Sequence, residues 1–185
     1  DVIQLFTEEL TSMLLEQGYI ELKEEVYHLS EQLPKKQVPV TLKDLLNARL
    51  DRLGLAKNTA RLAATIGREF QYELLVEASA KGEADVQNDL ELLLNADLVR
   101  KQRRVAGENY IFRHALIRDA AYEGMLSNQK KDNHSRIAET LESADFSKVM
   151  EENPYEVGRH NAGAEDFANA VRYGKKGMHK LTKTA

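Results

Sequence analysis

The feature that most limits the fold is the order of patterns in residues 56–113, where three short helical segments precede two strand-like segments. NTARLAATIG ends at Gly67, FQYELLVEAS follows it, and GEADVQNDLELLLNADLV begins a third helix. LVRKQ and NYIFR then form two predicted strands that meet in a turn at Ala106-Gly107. This order is typical of a winged-helix domain, and the alternative is another small α+β arrangement.

Residues 1–55 predict a helical segment with a β-hairpin. Apolar residues at helical spacing predict a helix over about residues 2–17, closed by Gly18. YIELKEEVYHLS predicts the hairpin. LPKKQVPV, bracketed by two prolines, predicts an extended connector. Thr41, with Asp44 three residues on, then predicts the start of a second helix with a leucine stripe.

Residues 114–185 read as helical almost throughout. ALIRDAAYEGML and KKDNHSRIAETLES are two helical patterns, and we expect a break at SADFSKVMEENP. An antiparallel helix pair turning at Gly163 should follow. Part of the tetratricopeptide pattern is present in this pair, without its aromatic positions. One face of the last helix is predicted to be apolar and shared by Phe167, Val171, Gly174, Met178 and Leu181. The fold class expected for the whole chain is mainly α with small β-hairpins.

The composition limits the classes of function. The chain has 185 residues, 42% of them hydrophobic and 30% charged, and a net charge of −4, so no global field draws it to nucleic acid. It has no cysteine, which suits a cytoplasmic location. No apolar run is long enough to cross a membrane, and we expect no membrane as a partner. Asp1 in place of Met suggests a fragment of a longer protein.

Catalytic motifs are missing from the sequence. There is no G-x-x-x-x-G-K-[ST], H-E-x-x-H or G-x-S-x-G, and the five histidines never pair at i,i+4. We therefore expect neither an enzyme nor a metal or cofactor site in this fragment.

His114 lies where a predicted strand ends and a predicted helix begins, in IFRHALIRDAAYEGM. A helix N-terminus favours an anion, and a ring N–H can donate a hydrogen bond to a phosphate oxygen. The alternative is that His114 caps the helix or bonds a nearby carbonyl; a catalytic base is the least favoured. The adjacent Arg113 is either a phosphate or acid partner, or an exposed arginine at the strand end.

DNA binding is an alternative from another class of function. The basic residues of the predicted wing are Arg100, Lys101, Arg103 and Arg104. Against this reading, the helix that would enter the groove carries several acids, among them Asp85 and Glu91, which would repel phosphates. Nucleic acid is therefore the less favoured partner.

Five blocks in this order resemble one family. They are LFTEEL, VPVTLKDLLNARLDRL, LAATIGREF, ELLLNADLV and FRHALIRDAAYEGML. Together they are similar to the region after the nucleotide-binding core of STAND-class ATPases, which are signal-transducing relatives of the AAA+ proteins. The closest resemblance is to bacterial multidomain proteins that join such an ATPase to a nucleotide cyclase, a kinase or a transcriptional output domain.

The resemblance implies a helical lid over 1–55, a winged helix over 56–113 and the start of tetratricopeptide-like repeats over 114–185. It implies that an ATP/ADP site with Mg lies upstream in the parent chain, and that His114 contacts the phosphates of ADP. Ala115 stands where relatives often have Asp, and Val2-Ile3-Gln4 stand where relatives often have Gly-Asn-Pro.

The function implied is regulatory: the fragment would couple the nucleotide state of the upstream core to signal or partner binding by the downstream helices. The partners expected are that upstream domain and a protein docked on the C-terminal helices. An apolar helix face left uncovered would also favour a homodimer of the fragment. A pure protein-interaction scaffold is the further alternative.

Overall fold

The computed structural model describes residues 2–23, 26–29, 41–103 and 107–184. The described chain is mainly helical with small antiparallel strand pairs, which confirms the predicted fold class. It divides into two compact units, residues 1–54 and residues 55–185. Glu24 and Glu25 of the predicted hairpin, the connector LPKKQVPV and Ala106 of the predicted turn lie outside the described residues.

The first unit contains two helices and a hairpin. Helix α1 spans Val2–Glu16, strands β1 and β2 span Ile20–Lys23 and Val26–Leu29, and helix α2 spans Leu42–Arg52. Helices α1 and α2 pack together and bury Leu5, Met13, Leu45, Leu46 and Leu50. The predicted cap of α2 is confirmed, because the Thr41 hydroxyl accepts a hydrogen bond from the Asp44 N–H at 3.1 Å.

The second unit begins with three helices and three strands. In chain order these are α3 (Ala56–Ile66), β3 (Glu69–Gln71), α4 (Tyr72–Ala78), α5 (Glu83–Asn95), β4 (Val99–Arg103) and β5 (Glu108–Phe112). The strands form one antiparallel sheet in the order β3-β5-β4, with Tyr110 opposite both Phe70 and Lys101. Strand β3 was not predicted, because three residues are too few for an alternating pattern to be recognised.

The remaining elements are α6 (Ala115–Glu123), α7 (Ser127–Glu142), α8 (Ser147–Glu152), α9 (Pro154–Gly163) and α10 (Phe167–Thr184). Helix α6 packs on α3, α7 on α3 and α4, α9 on α7, and α10 on α9. The predicted break at SADFSKVMEENP is wrong in part, because α8 lies within it. A helix of six residues is too short to show a helical period.

One core runs through the second unit. Large, fully buried side chains come from the sheet and from the helices packed around it: Phe112, Leu75, Leu90, Leu93, Leu98, Ile117 and Ile137. The helical pattern KKDNHSRIAETLES predicts a stripe of His134, Ile137, Ala138 and Leu141, and all four are buried on α7. The residues predicted as a winged helix and those predicted as the following helices therefore share apolar contacts within a single unit.

The burial of side chains on α10 differs from what its sequence pattern predicted. Three members of its predicted apolar stripe are exposed: Phe167 by 66%, Val171 by 56% and Met178 by 64%. Tyr173, which the stripe omitted, is buried. Hydrophobic period identifies an apolar face, but whether another element covers that face depends on tertiary packing. No helix among the described residues has the length and apolar character needed to span a membrane.

Candidate functional site

His114 occupies the joint between β5 and α6. Its backbone is extended, and its carbonyl accepts the Ile117 N–H at 3.1 Å, so it is the N-cap residue of α6. The joint is fixed on the sheet side, where the Arg113 N–H donates to the Leu98 carbonyl at 3.0 Å. The His114 side chain is half-buried, and within the described chain it makes no capping hydrogen bond to α6. The side-chain cap considered as an alternative is therefore not observed.

Arg113 pairs with a carboxylate. Its guanidinium contacts Asp97, which also lies 3.7 Å from the Nε of Arg100. Asp97 adopts a left-handed backbone conformation, φ 52°, in the turn between α5 and β4. One acid thus brings together an arginine proposed for nucleotide sensing and an arginine proposed for DNA contact.

The basic hairpin is partly neutralised by its own acids. Lys101 forms an ion pair of 2.5 Å with Glu108 across the β4–β5 ladder. The hydrogen bond from Lys101 lowers the pKa of the Glu108 carboxyl. Arg104 lies outside the described residues, and only the backbone of Arg103 is described. Of the hairpin residues proposed to contact DNA, Arg100 and Lys101 therefore already face carboxylates.

A buried histidine pair, which the sequence analysis did not single out as a site, lies between α6, α7 and α9. The Nδ1 atoms of His134 on α7 and His160 on α9 are 3.0 Å apart, and both residues are buried. The Tyr122 hydroxyl on α6 lies 3.0 Å from His134 Nε2. On the other side, Arg159 Nη2 lies 2.8 Å from His160 Nε2. Four side chains from three helices therefore form one row of hydrogen bonds.

Arg159 sets the direction of that row. A guanidinium only donates, and the two N–H groups of Arg159 Nη2 are shared among Glu156, Ile66 and His160. His160 Nε2 therefore faces a donor and carries no proton. A neutral His160 is then protonated at Nδ1 and donates to His134 Nδ1. His134 is in turn protonated at Nε2 and donates to the Tyr122 hydroxyl. Each contact has one donor and one acceptor only if both rings are neutral, so the geometry assigns both tautomers.

The surroundings favour the same neutral state. Burial lowers the pKa of His134 to about 4, and the positive charges of Arg159 and Arg118 act in the same direction. Burial, Arg159 and His134 likewise lower the pKa of His160. Glu156 balances Arg159, which donates to its carboxylate at 2.6 Å and 2.9 Å. The charge therefore stays at one end of the row and the rings remain uncharged.

Gly163 leaves the room that the pair requires. A Cβ at this position would lie 2.5 Å from His134 Cγ, which is closer than two non-bonded carbon atoms can approach. The sequence carries only a faint signal for this site: two polar rings at positions where apolar residues are expected, 26 residues apart, and a glycine near the end of α9. The contact between the two rings cannot be predicted from either segment alone, because their helices meet only in the folded protein.

Helix α6 connects the two ends of this region. His114 is the N-cap residue at its start, and Tyr122 lies in its last turn. The last carbonyls of α3 receive two arginines: Arg118 of α6 donates to Ala64 at 2.9 Å, and Arg159 of α9 donates to Ile66 at 2.7 Å. Arginine is a favourable partner for these groups, because helix C-termini present unsatisfied carbonyls and partial negative charge. Helices α6 and α9 are thereby both tied to the end of α3.

Comparison with known proteins gives one distant relationship. The chain is 26% identical over 136 residues to an uncharacterized protein of Rhizobium meliloti (strain 1021), a match that covers 73% of this chain and 13% of that protein. The chain therefore corresponds to a small part of that relative's length. No protein-family model matches the chain. No solved structure matches it either.

Proposed function

We propose that this chain is a non-catalytic regulatory segment of a STAND-type ATPase. In this proposal it couples the nucleotide state of an upstream core to binding of a signal or partner by helices downstream. The sequence blocks that resemble that class support it, as does the similarity to a small part of a much longer protein. The element order from α3 to β5 and the sheet order β3-β5-β4 support a winged helix in the middle of the segment.

The observation that carries the proposal is the position of α6. This helix has the proposed sensor, His114, at its N-terminus and Tyr122, the end of the histidine row, in its last turn. Nine residues of α-helix span about 13 Å. A phosphate held at the N-terminus of α6 would favour one position of the helix, and the Tyr122–His134 bond would pass that preference to α7 and α9.

In this mechanism ADP stabilises one arrangement of the segment. The helix dipole and the His114 ring both favour an anion at the start of α6. One hydrogen bond to a charged group contributes about 1.5–3 kcal/mol, which is enough to shift a two-state equilibrium about tenfold or more. His114 would act as a ligand of the nucleotide, and the chain itself would carry out no chemical step.

The test uses the full-length parent protein and calorimetric titration with ADP. We expect His114→Ala to weaken ADP binding about tenfold, since one charged hydrogen bond is lost. His179→Ala is the matched control, because His179 is an exposed histidine on α10. Equal ADP affinity in His114→Ala and the wild type would refute the sensor role, and a parent gene without a P-loop before this segment would refute the proposal as a whole.

A second measurement separates sensing from transmission. Amide hydrogen exchange should show that ADP changes the protection of α9 and α10 in the wild type. Tyr122→Phe removes the hydroxyl that accepts from His134 and leaves His114 intact. We expect this variant to bind ADP normally while losing the change in α9 and α10. If the response of α9 persists in Tyr122→Phe, the histidine row does not transmit the signal.

The exposed face of α10 supports a protein partner at the C-terminal helices, with self-association as the alternative. Phe167, Val171 and Met178 are each more than half exposed, although large apolar side chains on one helix face are usually covered. If self-association covers this face, the 185-residue chain should associate with itself in sedimentation experiments, and Val171→Ser should weaken that association. A monomer at every concentration would leave a different protein as the occupant of this face.

A further inference from the structure

A cavity lies in the second unit, where α3, the loop between α4 and α5, and α7 meet. Its volume is about 300 Å³. Small-molecule sites in proteins have volumes from about 300 to 1,000 Å³, so this cavity matches a compact ligand.

The charged residues of the cavity are mainly basic. Arg61, Lys81 and Arg136 line it, and Asp132 is its acidic residue. Lys81 is neutralised by Asp89, a buried acid 2.5 Å from its Nζ. The remaining charge of the lining comes from two arginines opposed by one exposed aspartate.

Neither arginine has a carboxylate partner among the described residues. Arg61 Nη2 donates to the carbonyl of Gly124 at 2.8 Å, and Arg136 Nη2 donates to the side-chain oxygen of Asn133 at 2.7 Å. The Arg61 Nε is buried and has no hydrogen-bond acceptor in the described part of the chain. Half-buried guanidinium groups whose hydrogen bonds go only to neutral oxygens retain an unbalanced charge and unused donors.

The arginine of α7 is also held in position. Asn133 is buried, and its amide nitrogen lies 3.4 Å from the Thr65 hydroxyl and 3.3 Å from Met125 Sδ. These contacts fix the amide so that its oxygen faces Arg136. A guanidinium that is positioned in advance loses less freedom when it binds a ligand.

We propose that this cavity binds a small oxyanion, an organic phosphate or carboxylate, between Arg61 and Arg136. The planar donor fork of arginine matches two oxygens of a phosphate or carboxylate, and such bonds are stronger than those to neutral oxygens. The ligand would lie between α3, in the proposed winged helix, and α7, in the helices that follow. This proposal does not depend on the nucleotide role of His114.

The test is a titration of the ¹⁵N-labelled 185-residue chain, followed by NMR at constant ionic strength. Inorganic phosphate is the probe in one arm and succinate in the other, which distinguishes the two oxyanion classes. We expect one of them to shift the arginine Nε–H signals of Arg61 and Arg136 in a saturable way, with a Kd below roughly 1 mM. Folding of each variant is checked by circular dichroism.

Substitutions of opposite sign sharpen the test. Arg136→Gln should weaken binding about tenfold, because one charge-assisted pair of hydrogen bonds is lost. Asp132→Asn should strengthen it, because a carboxylate that repels the ligand is removed. Arg172→Gln is the control for net charge, since Arg172 is exposed on α10 and does not line the cavity.

Three results would overturn the proposal. One is the absence of saturable binding in both arms. Another is binding that Arg136→Gln and Arg172→Gln weaken equally, which would mean attraction to net charge alone. The third is a saturable site whose shifts map away from α3 and α7. Arg61→Gln should weaken binding in the same way as Arg136→Gln. If Arg61→Gln fails to fold, Arg136→Gln and Asp132→Asn still decide the question, because Asp132 is exposed and Arg136 is only partly buried.

Discussion

Two lysine–carboxylate pairs in this protein have the same length and different surroundings. Lys81 and Asp89 are 2.5 Å apart, with 27% and 11% of their side chains exposed. Lys101 and Glu108 are also 2.5 Å apart, with 49% of each side chain exposed. Solvent screens the exposed Lys101–Glu108 pair more strongly than the partly buried Lys81–Asp89 pair. Ion pairs of equal length therefore have unequal interaction energies.

The same contrast separates the β4–β5 hairpin from the helical interior of the second unit. In the hairpin, basic and acidic residues are close in sequence and neutralise one another at the surface. In the interior, the histidine row and the cavity between α3 and α7 bring together polar groups that are distant in sequence.

The largest effect is expected at Gly163. In Gly163→Ala the new Cβ would overlap the buried His134 ring, so the ring or α9 must move and the hydrogen bonds of the row must break. Overpacking of this kind typically costs about 1–3 kcal/mol, and we expect a loss of about 3 kcal/mol in urea unfolding. Gly174→Ala is the matched control, since a Cβ there meets nothing within 4 Å. It should be neutral or stabilising, and equal losses in both variants would contradict the packing argument.

The next largest effect is expected at Asp89. Asp89→Ala leaves Lys81 partly buried without its counter-ion and removes the acceptor for the Thr59 hydroxyl. Breaking a fully buried pair costs about 3–5 kcal/mol, and because Lys81 is 27% exposed we expect about 2 kcal/mol. Urea unfolding measures this loss in the free energy of unfolding. A loss no greater than that of Glu108→Ala would remove the distinction between interior and hairpin.

Acid should destabilise the protein at a pH at which most carboxylates are still ionised. The folded pKa of His134 is lowered from 6.5 to about 4, so the unfolded chain binds more protons between these values. The contribution of neutral His134 to the free energy of unfolding is therefore complete above pH 6.5 and falls as the pH drops toward 4. The slope is about 1.4 kcal/mol per pH unit for each histidine that stays neutral.

Two measurements check this prediction. Urea unfolding from pH 7 to pH 5 gives the slope, and a stability that rises toward pH 5 would contradict it. Long-range ¹H–¹⁵N spectra at pH 6 should show His160 protonated at Nδ1 and His134 at Nε2. The reverse tautomers, or a charged ring, would mean that Arg159 does not set the direction of the row.

The smallest effects are expected in the hairpin. A double-mutant cycle of Lys101→Ala and Glu108→Ala should show a coupling within experimental error, because both groups are well exposed.

Duplex DNA tests the same region in another way. We expect no salt-dependent binding by the 185-residue chain, since Arg100 and Lys101 face acids and the exposed surface of α5 carries Asp85 and Glu91. Binding that weakens with salt and is lost in Arg100→Ala would restore the DNA-binding alternative.

Long regular elements were predictable from the sequence, and the contacts between them were not. The stripe of α7 was assigned correctly because four buried residues recur at helical spacing. Strand β3 and helix α8 were missed because neither is long enough to show a period. The face of α10 was recognised as apolar, yet the residue that packs is Tyr173. Burial depends on neighbours that a local pattern does not specify.

The candidate sites divide in the same way. His114 was located at a helix N-terminus from local signals, and the structure places it there. The His134–His160 pair and the Arg61–Arg136 cavity each join helices that are distant in sequence, so no motif of fixed spacing describes them. Arg159 is the clearest example, because its partners lie on its own helix and at Ile66, 93 residues away.

The histidine row also resembles a short segment of ice, in which every link can in principle point either way. Without a fixed end, two proton arrangements of the rings would be equivalent, and the row would keep that residual disorder. Arg159 removes it, because a group that never accepts a hydrogen bond selects one of the two arrangements. Replacing Arg159 with glutamine, which both donates and accepts, would restore the choice and make the row a two-state element in which the orientation of Tyr122 reports events at α9.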